Sequence, residues 1–246
     1  MDEMIEKRKA LTIVIASVIV SLALGVGLTK VGSGFASRSS DGIVVTGSAK
    51  VAATADNVVW TLSVQNTGKT PGTAVSGIDS GINTLQKYLV DGGIPTGALT
   101  LGPVNSYPTE EYLNGNPTGR ILNYRATREI TVRTKDVQLV SKLSQNIGSV
   151  LQQGVNLSNY GPQYYISTLN EIRPKLMKQA TQDAKKRALA MADAVGDKVG
   201  ALSSVKAGPI QVTTPDSTMT SDYGMYDTST IDKTVTATVT VTFKTN

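Results

Sequence analysis

Thr234-Val-Thr-Ala-Thr-Val-Thr-Val-Thr-Phe243 alternates threonine with an apolar residue over ten positions. A strand sends successive side chains to opposite faces, so Val235, Ala237, Val239, Val241 and Phe243 share one face. The five threonines share the other. The apolar face demands a core. The threonine face, centred on Thr236, Thr238 and Thr240, is expected to be wet or to meet a neighbouring subunit.

Upstream, two more alternating runs stand close together. Ile43, Val45, Gly47, Ala49, Val51 and Ala53 form one, and Val58, Trp60, Leu62 and Val64 the other. Asp56-Asn57 separates them, which predicts a hairpin. Thr70-Pro71 then opens a helix, with Val75, Ile78, Ile82, Leu85 and Leu89 as its apolar stripe and Gly92-Gly93 as its stop. Gly77 and Gly81 weaken that helix and suggest close packing. A strand is expected at 98–107, a polar loop from Pro108 to Gly119, and a long strand at 121–133. Asp136 caps a second helix whose buried face is Val140, Leu143, Ile147 and Val150, ended by Gly154.

A short strand near 160–166 precedes the longest helix. Thr168-x-x-Glu171 resembles a capping box, and Asn170 is the alternative cap, because Pro174 is costly deeper inside. Met177, Ala180, Ala184, Ala188, Met191 and Val195 read as its buried ridge. A strand near 202–212 and a polar loop at 213–232 complete the body. The fold class is α+β, with largely antiparallel sheets and packed helices in the order β-β-α-β-β-α-β-α-β-β. The inner β-α-β-β-α-β run has the ferredoxin-like order.

The first forty residues differ in kind. Twenty uncharged residues, Ala10 to Thr29, follow the cluster Lys7-Arg8-Lys9. As a helix they span about 30 Å, one hydrocarbon core. The basic flank predicts a cytoplasmic N-terminus and a body outside the cytoplasm, in the periplasm or at the cell surface. The reading is a membrane anchor at 1–30, a Gly/Ser linker at 31–41 and one domain at 42–246. Gly34-Phe35-Ala36 offers the alternative of a cleaved signal and a secreted product. Ser17, Ser21 and Gly25 recur every fourth residue and would let anchor helices approach closely.

Two segments are similar to the SIMPL-domain family of bacterial exported proteins. The opening Gly42-Ile-Val-Val-Thr-Gly-Ser-Ala49 is similar to its G-I-x-V-x-G-x-A start. The helix carrying Leu169, Leu176, Ala180, Asp183-Ala184-Lys185, Arg187-Ala188, Ala192 and Ala194-Val195-Gly196, followed by Val199-Gly200, resembles its alanine-stepped helix and Gly exit. The last strand also fits. Pro174, the Lys186-Arg187 pair and the long 213–232 segment depart from the pattern. The resemblance implies a periplasmic or cell-surface α+β protein without known enzyme activity. It also implies self-association, in some members as rings or channels, and for some a link to oxidative-stress tolerance.

The 246 residues contain neither Cys nor His. That removes thiol and imidazole catalysis, disulfides, and the usual zinc, copper and haem sites. The net charge of +5 is too thinly spread for a nucleic-acid footprint. Thr84-x-x-Lys87 has a Ser-Lys-like spacing, but Lys87 falls on the wet side of its helix. Glu110-Glu111 are neighbours without convergence, and Asp216, Asp222, Asp227 and Asp232 lack the spacing of a calcium loop. No catalytic residue, cofactor, metal or small-molecule substrate is expected. Met219, Tyr223, Met225 and Tyr226 instead mark an interaction patch in the last loop. The expected function is self-assembly of a membrane-anchored structural or stress-related protein. A monomeric adaptor working through the 213–232 loop is the alternative, and an unfamiliar hydrolase a third.

Overall fold

A computed structural model describes residues 42–245. The anchor, the linker and the Ser17, Ser21, Gly25 ridge lie outside them. Two compact units divide the described chain. One comprises 42–46, 184–206 and 240–245, the other 47–183 with 207–239.

The class is mixed α+β, and its sheets are antiparallel apart from one short parallel pair. β1 (Gly42–Thr54) and β2 (Asn57–Gly68) lead into α1 (Pro71–Asp91). A single 3-10 turn and β3 (Leu99–Leu101) follow, then β4 (Asn105–Leu113) and β5 (Asn116–Thr134). Next come α2 (Val137–Gln145), α3 (Gly148–Gln152), β6 (Leu157–Asn159) and β7 (Gln163–Tyr165). α4 (Leu169–Ala194), β8 (Val199–Ala207), β9 (Gln211–Thr213), β10 (Met225–Tyr226) and β11 (Asp232–Thr245) close the chain. The order is thus finer than expected, with extra short strands.

β2 and β5 are the centre of a six-stranded sheet, flanked by β3 and β4 on the β5 side and by β6 and β7 on the β2 side. Register pairs Trp60 with Val132 and Leu62 with Ile130. Their fully buried side chains face Ile78, Ile82, Leu85 and Leu89 of α1 in one core. The alternate residues Thr61 and Thr131 form a polar ladder on the opposite face. α1 begins with a reciprocal cap between Thr70 and Thr73 and ends at Gly92. Gly77 and Gly81 have the packing role suggested for them. A Cβ at Gly77 would collide with the Asn66 amide, and one at Gly81 would lie 2.8 Å from Val64 Cγ1.

β1 does not pair with β2. It pairs with β11 in a five-stranded sheet, so the expected hairpin at 43–64 is absent. The corner at 55–56 is held by other segments: Ala55 N–H donates to Ile231 O at 2.8 Å and Asp56 N–H to Tyr165 O at 3.0 Å. Tertiary partners thus override the short turn and send the chain from one sheet to the other. Val212, Val235 and Ala237 of the five-stranded sheet pack on Leu176 of α4, with Ala49, Ala53, Leu169 and Ile172 around them.

The α4 ridge also differs from expectation. Leu176, Ala180, Ala184, Ala188 and Ala192 are buried, whereas Met191 and Val195 are 53% and 78% exposed. A strict four-residue step of alanines is the face that fits, and the larger side chains sit off it. Thr168, not Asn170, starts the helix, accepting at its carbonyl from Glu171 and Ile172. Pro174 is tolerated inside.

Candidate functional site

The 213–232 segment folds over the threonine side of its own sheet. Gln211 Nε2 donates to Ser221 O, and Thr234 Oγ1 to Pro215 O at 3.5 Å. Under this roof lies a cavity of about 310 Å³, lined by Lys50, Gln211, Thr213, Met219, Thr234 and Thr236 among others. Gln211 is 7% exposed and its Oε1 has no hydrogen-bond partner among the described residues.

The four patch residues separate into two kinds. Met225 pairs with Gln211 and Tyr226 with Val212 in the parallel β10–β9 contact. The Tyr226 hydroxyl accepts from Ile166 N–H at 2.8 Å, and its ring lies 5.9 Å from that of Tyr165. These two residues secure the loop. Met219 and Tyr223 are 67% and 98% exposed and remain available. On the threonine face, Thr236 lines the cavity and Thr238 O accepts from Gly208 N–H at 2.9 Å. Thr240 Oγ1 meets Thr46 Oγ1 at 2.9 Å. Thr236, Thr238 and Thr240 are half-buried, so this face is already partly occupied by its own chain.

The end of the segment is tied to the core. Lys233, whose side chain is wholly buried, lies 3.4 Å from Asp227 Oδ1. Burial pushes the lysine down, opposed by the Asp227 charge. Burial pushes Asp227 up, but hydrogen bonds from Ser229 and the Lys233 charge hold it below the ordinary carboxylate value. Three of the other chemical candidates have partners. Glu111 pairs with Arg120 and Thr118, Lys87 with Asp91, and Thr84 Oγ1 with Ser80 O. Among the described residues no three acidic side chains gather as a metal ion would require.

An exposed apolar feature of the described residues takes in the segment 108–119, expected to be a polar loop, together with the adjoining ends of the two expected strands. β4 and β5 form a long hairpin whose turn is Asn114-Gly115, at φ 52° and 81°. Positive φ at both central residues gives a tight turn matched to strand twist. Residues 105–122 are exposed on both faces except for half-buried Thr109 and Glu111. Tyr107, Tyr112, Leu113, Ile121 and Leu122 are each 46–67% exposed. Asn-Gly between alternating residues was the signal that would have found it.

Residues 43–243 match the model of the SIMPL family, described as "Protein of unknown function (DUF541)". The chain belongs to that family. No curated protein matches it. Among solved structures it is similar to one described as "a putative aminohydrolase from methicillin resistant Staphylococcus aureus", at 17% identity and a TM-score of 0.24. The match covers 56% of this chain and 37% of that one, so the chain spans little more than a third of that protein's length.

Proposed function

We propose that this chain is a non-enzymatic, membrane-anchored extracytoplasmic protein that assembles into a large homo-oligomer serving the cell envelope or its tolerance of oxidative stress. The 105–122 hairpin is the observation that carries the reading. A two-stranded ribbon is marginal in water without further support. Its tyrosines, leucines and isoleucine form an apolar surface of the kind that marks a protein contact. The apolar stretch Ala10–Thr29 supports an anchor, and anchored copies gathered by such arms would hold the membrane multivalently.

Light scattering and negative-stain imaging of the detergent-extracted full chain test the reading. Particles of many copies are expected, and replacing Tyr112 and Leu113 by Ser is expected to disperse them. A monodisperse monomer would sink it. The adaptor reading rests on the exposure of Met219 and Tyr223. Replacing both by Ser separates the readings: loss of partner capture at unchanged particle size favours the adaptor.

A further inference from the structure

The open edge of β1 and the first half of α4 frame a groove. β1 has β11 as its one strand neighbour among the described residues, which leaves its other edge unpaired. Ser48 identifies the groups on that edge. Its N–H donates to Asp183 Oδ2 of α4 at 2.9 Å, a side-chain acceptor standing in for a strand. Strand alternation places the N–H groups of Lys50, Ala52 and Thr54 on the same side, where no side-chain acceptor is found among the described residues. Lys50, Val51, Ala52 and Thr54 are exposed.

Along 51–54 the helix stands off from the strand and leaves a cavity of about 400 Å³. Its floor is apolar, made by Ile166, Ile172 and Leu176, and Lys175 is the one charged residue among those lining it. A strand edge beside a helix, with an apolar trough between, is the geometry that accepts an added strand. Main-chain bonds to the edge supply affinity and alternate side chains enter the trough. Unpaired edges are also what proteins otherwise block with charges, bulges or proline.

The arm of the same chain has the complementary properties. Among the described residues β4 pairs with β5 alone, so it too has an open edge. Pro108 lacks a donor, which leaves the tip beyond it, Thr109–Leu113, as the part able to pair. That tip presents Tyr112 and Leu113 at 64% and 67% exposure, together with exposed Glu110. Glu110 forms no ion pair among the described residues. From Ala126, where burial begins, to the turn, the arm reaches about 35–40 Å at the strand rise.

We propose that the groove between β1 and α4 receives the 109–113 arm tip of a second copy as an added strand, with Glu110 against Lys175. This rests on the self-assembly reading. The contact joins two different surfaces, so it repeats head to tail and closes into a ring where the rotation permits.

The chain has no cysteine, so introduced ones are unambiguous. Full-length Ala52→Cys chain is mixed in detergent with full-length Tyr112→Cys chain and oxidised. A disulfide-linked dimer of one copy of each is expected, and none from either variant alone. The chain carrying both substitutions should give a ladder. Charge exchange is the second arm: Lys175→Glu should disperse the particles and Glu110→Lys in the same chain should restore them. Multi-copy particles without the mixed disulfide and without charge rescue overturn the contact and leave assembly standing. A disulfide from Ala52→Cys to a different protein also overturns it, because the groove then serves a foreign peptide. A wild-type monomer overturns assembly itself, and the contact with it.

Discussion

Lys233 is fully buried with its ammonium 3.4 Å from Asp227, a carboxylate that is itself 27% exposed. The two are unequal partners. Removing the carboxylate strands a cation, whereas removing the cation leaves a half-wet carboxylate. Asp227→Asn is expected to cost about 2–3 kcal/mol, and Lys233→Met less than about 1 kcal/mol in either direction. Urea unfolding of the pair of variants checks the order, and equal losses would contradict it.

Asp56 accepts from the Ser167 hydroxyl at 2.6 Å and from its backbone N–H at 2.7 Å. The hydroxyl bond foremost holds the carboxyl below its ordinary value of 3.8, against the upward push of burial. A depressed folded pKa contributes stability that is complete above the unfolded value and disappears as pH falls through the folded one. The loss therefore falls below pH 3.8. Ser167→Ala should move the Asp56 titration upward, read by carbon-13 NMR, and shift acid unfolding to higher pH. An unmoved titration would remove the hydroxyl from the explanation.

Gly77 and Gly81 sit inside a 21-residue helix, where alanine is intrinsically better by about 1 kcal/mol. The close neighbours Asn66 and Val64 reverse that preference. Gly81→Ala is expected to destabilise by about 1–3 kcal/mol through overpacking. Gly77→Ala should also destabilise, by displacing the Asn66 amide from Ala74 O. Thermal melts of the two variants decide this, and a raised Tm in either would refute it.

Tyr223 and Tyr226, three residues apart, should behave oppositely. Tyr226→Phe removes the acceptor of the Ile166 N–H and is expected to cost about 1–2 kcal/mol. Tyr223→Ala, at a side chain almost wholly in water, should change stability by less than about 0.5 kcal/mol. Denaturant midpoints compare them directly.

Period and capping made much of this fold readable. The stripe Ile78–Leu89, the Asp136 cap and the alternation of 234–243 each express a local rule that the structure keeps. The β1–β11 pairing was not readable, because it joins residues nearly two hundred positions apart and the nearer partner at 58–64 belongs to another sheet. The α4 ridge was off by one position at its start and on a different face at its end. Hydrophobicity favoured Met and Val, whereas close approach selects Ala. At the site, composition pointed to Met219 and Tyr223 correctly as exposed. It gave no hint that Tyr226 is a structural tie, since that depends on Ile166, sixty residues away. The arm was missed because Glu110, Glu111 and the prolines made 108–119 look like a loop.

Gly42 abuts the backbone of Phe243 while Thr46 meets Thr240, so the first and last described strands run antiparallel, side by side. Their outer ends lie at the same place. A short peptide bridge from Thr245 to Gly42 would close the described chain into a circle without disturbing a strand. New termini could then be cut at Gly97, where a turn residue has open space around it. Such a permutant would begin and end beside the short turn at Thr96–Ala98 instead of at the β1–β11 pair. It thereby moves the chain ends while the strand pairings of both sheets are retained.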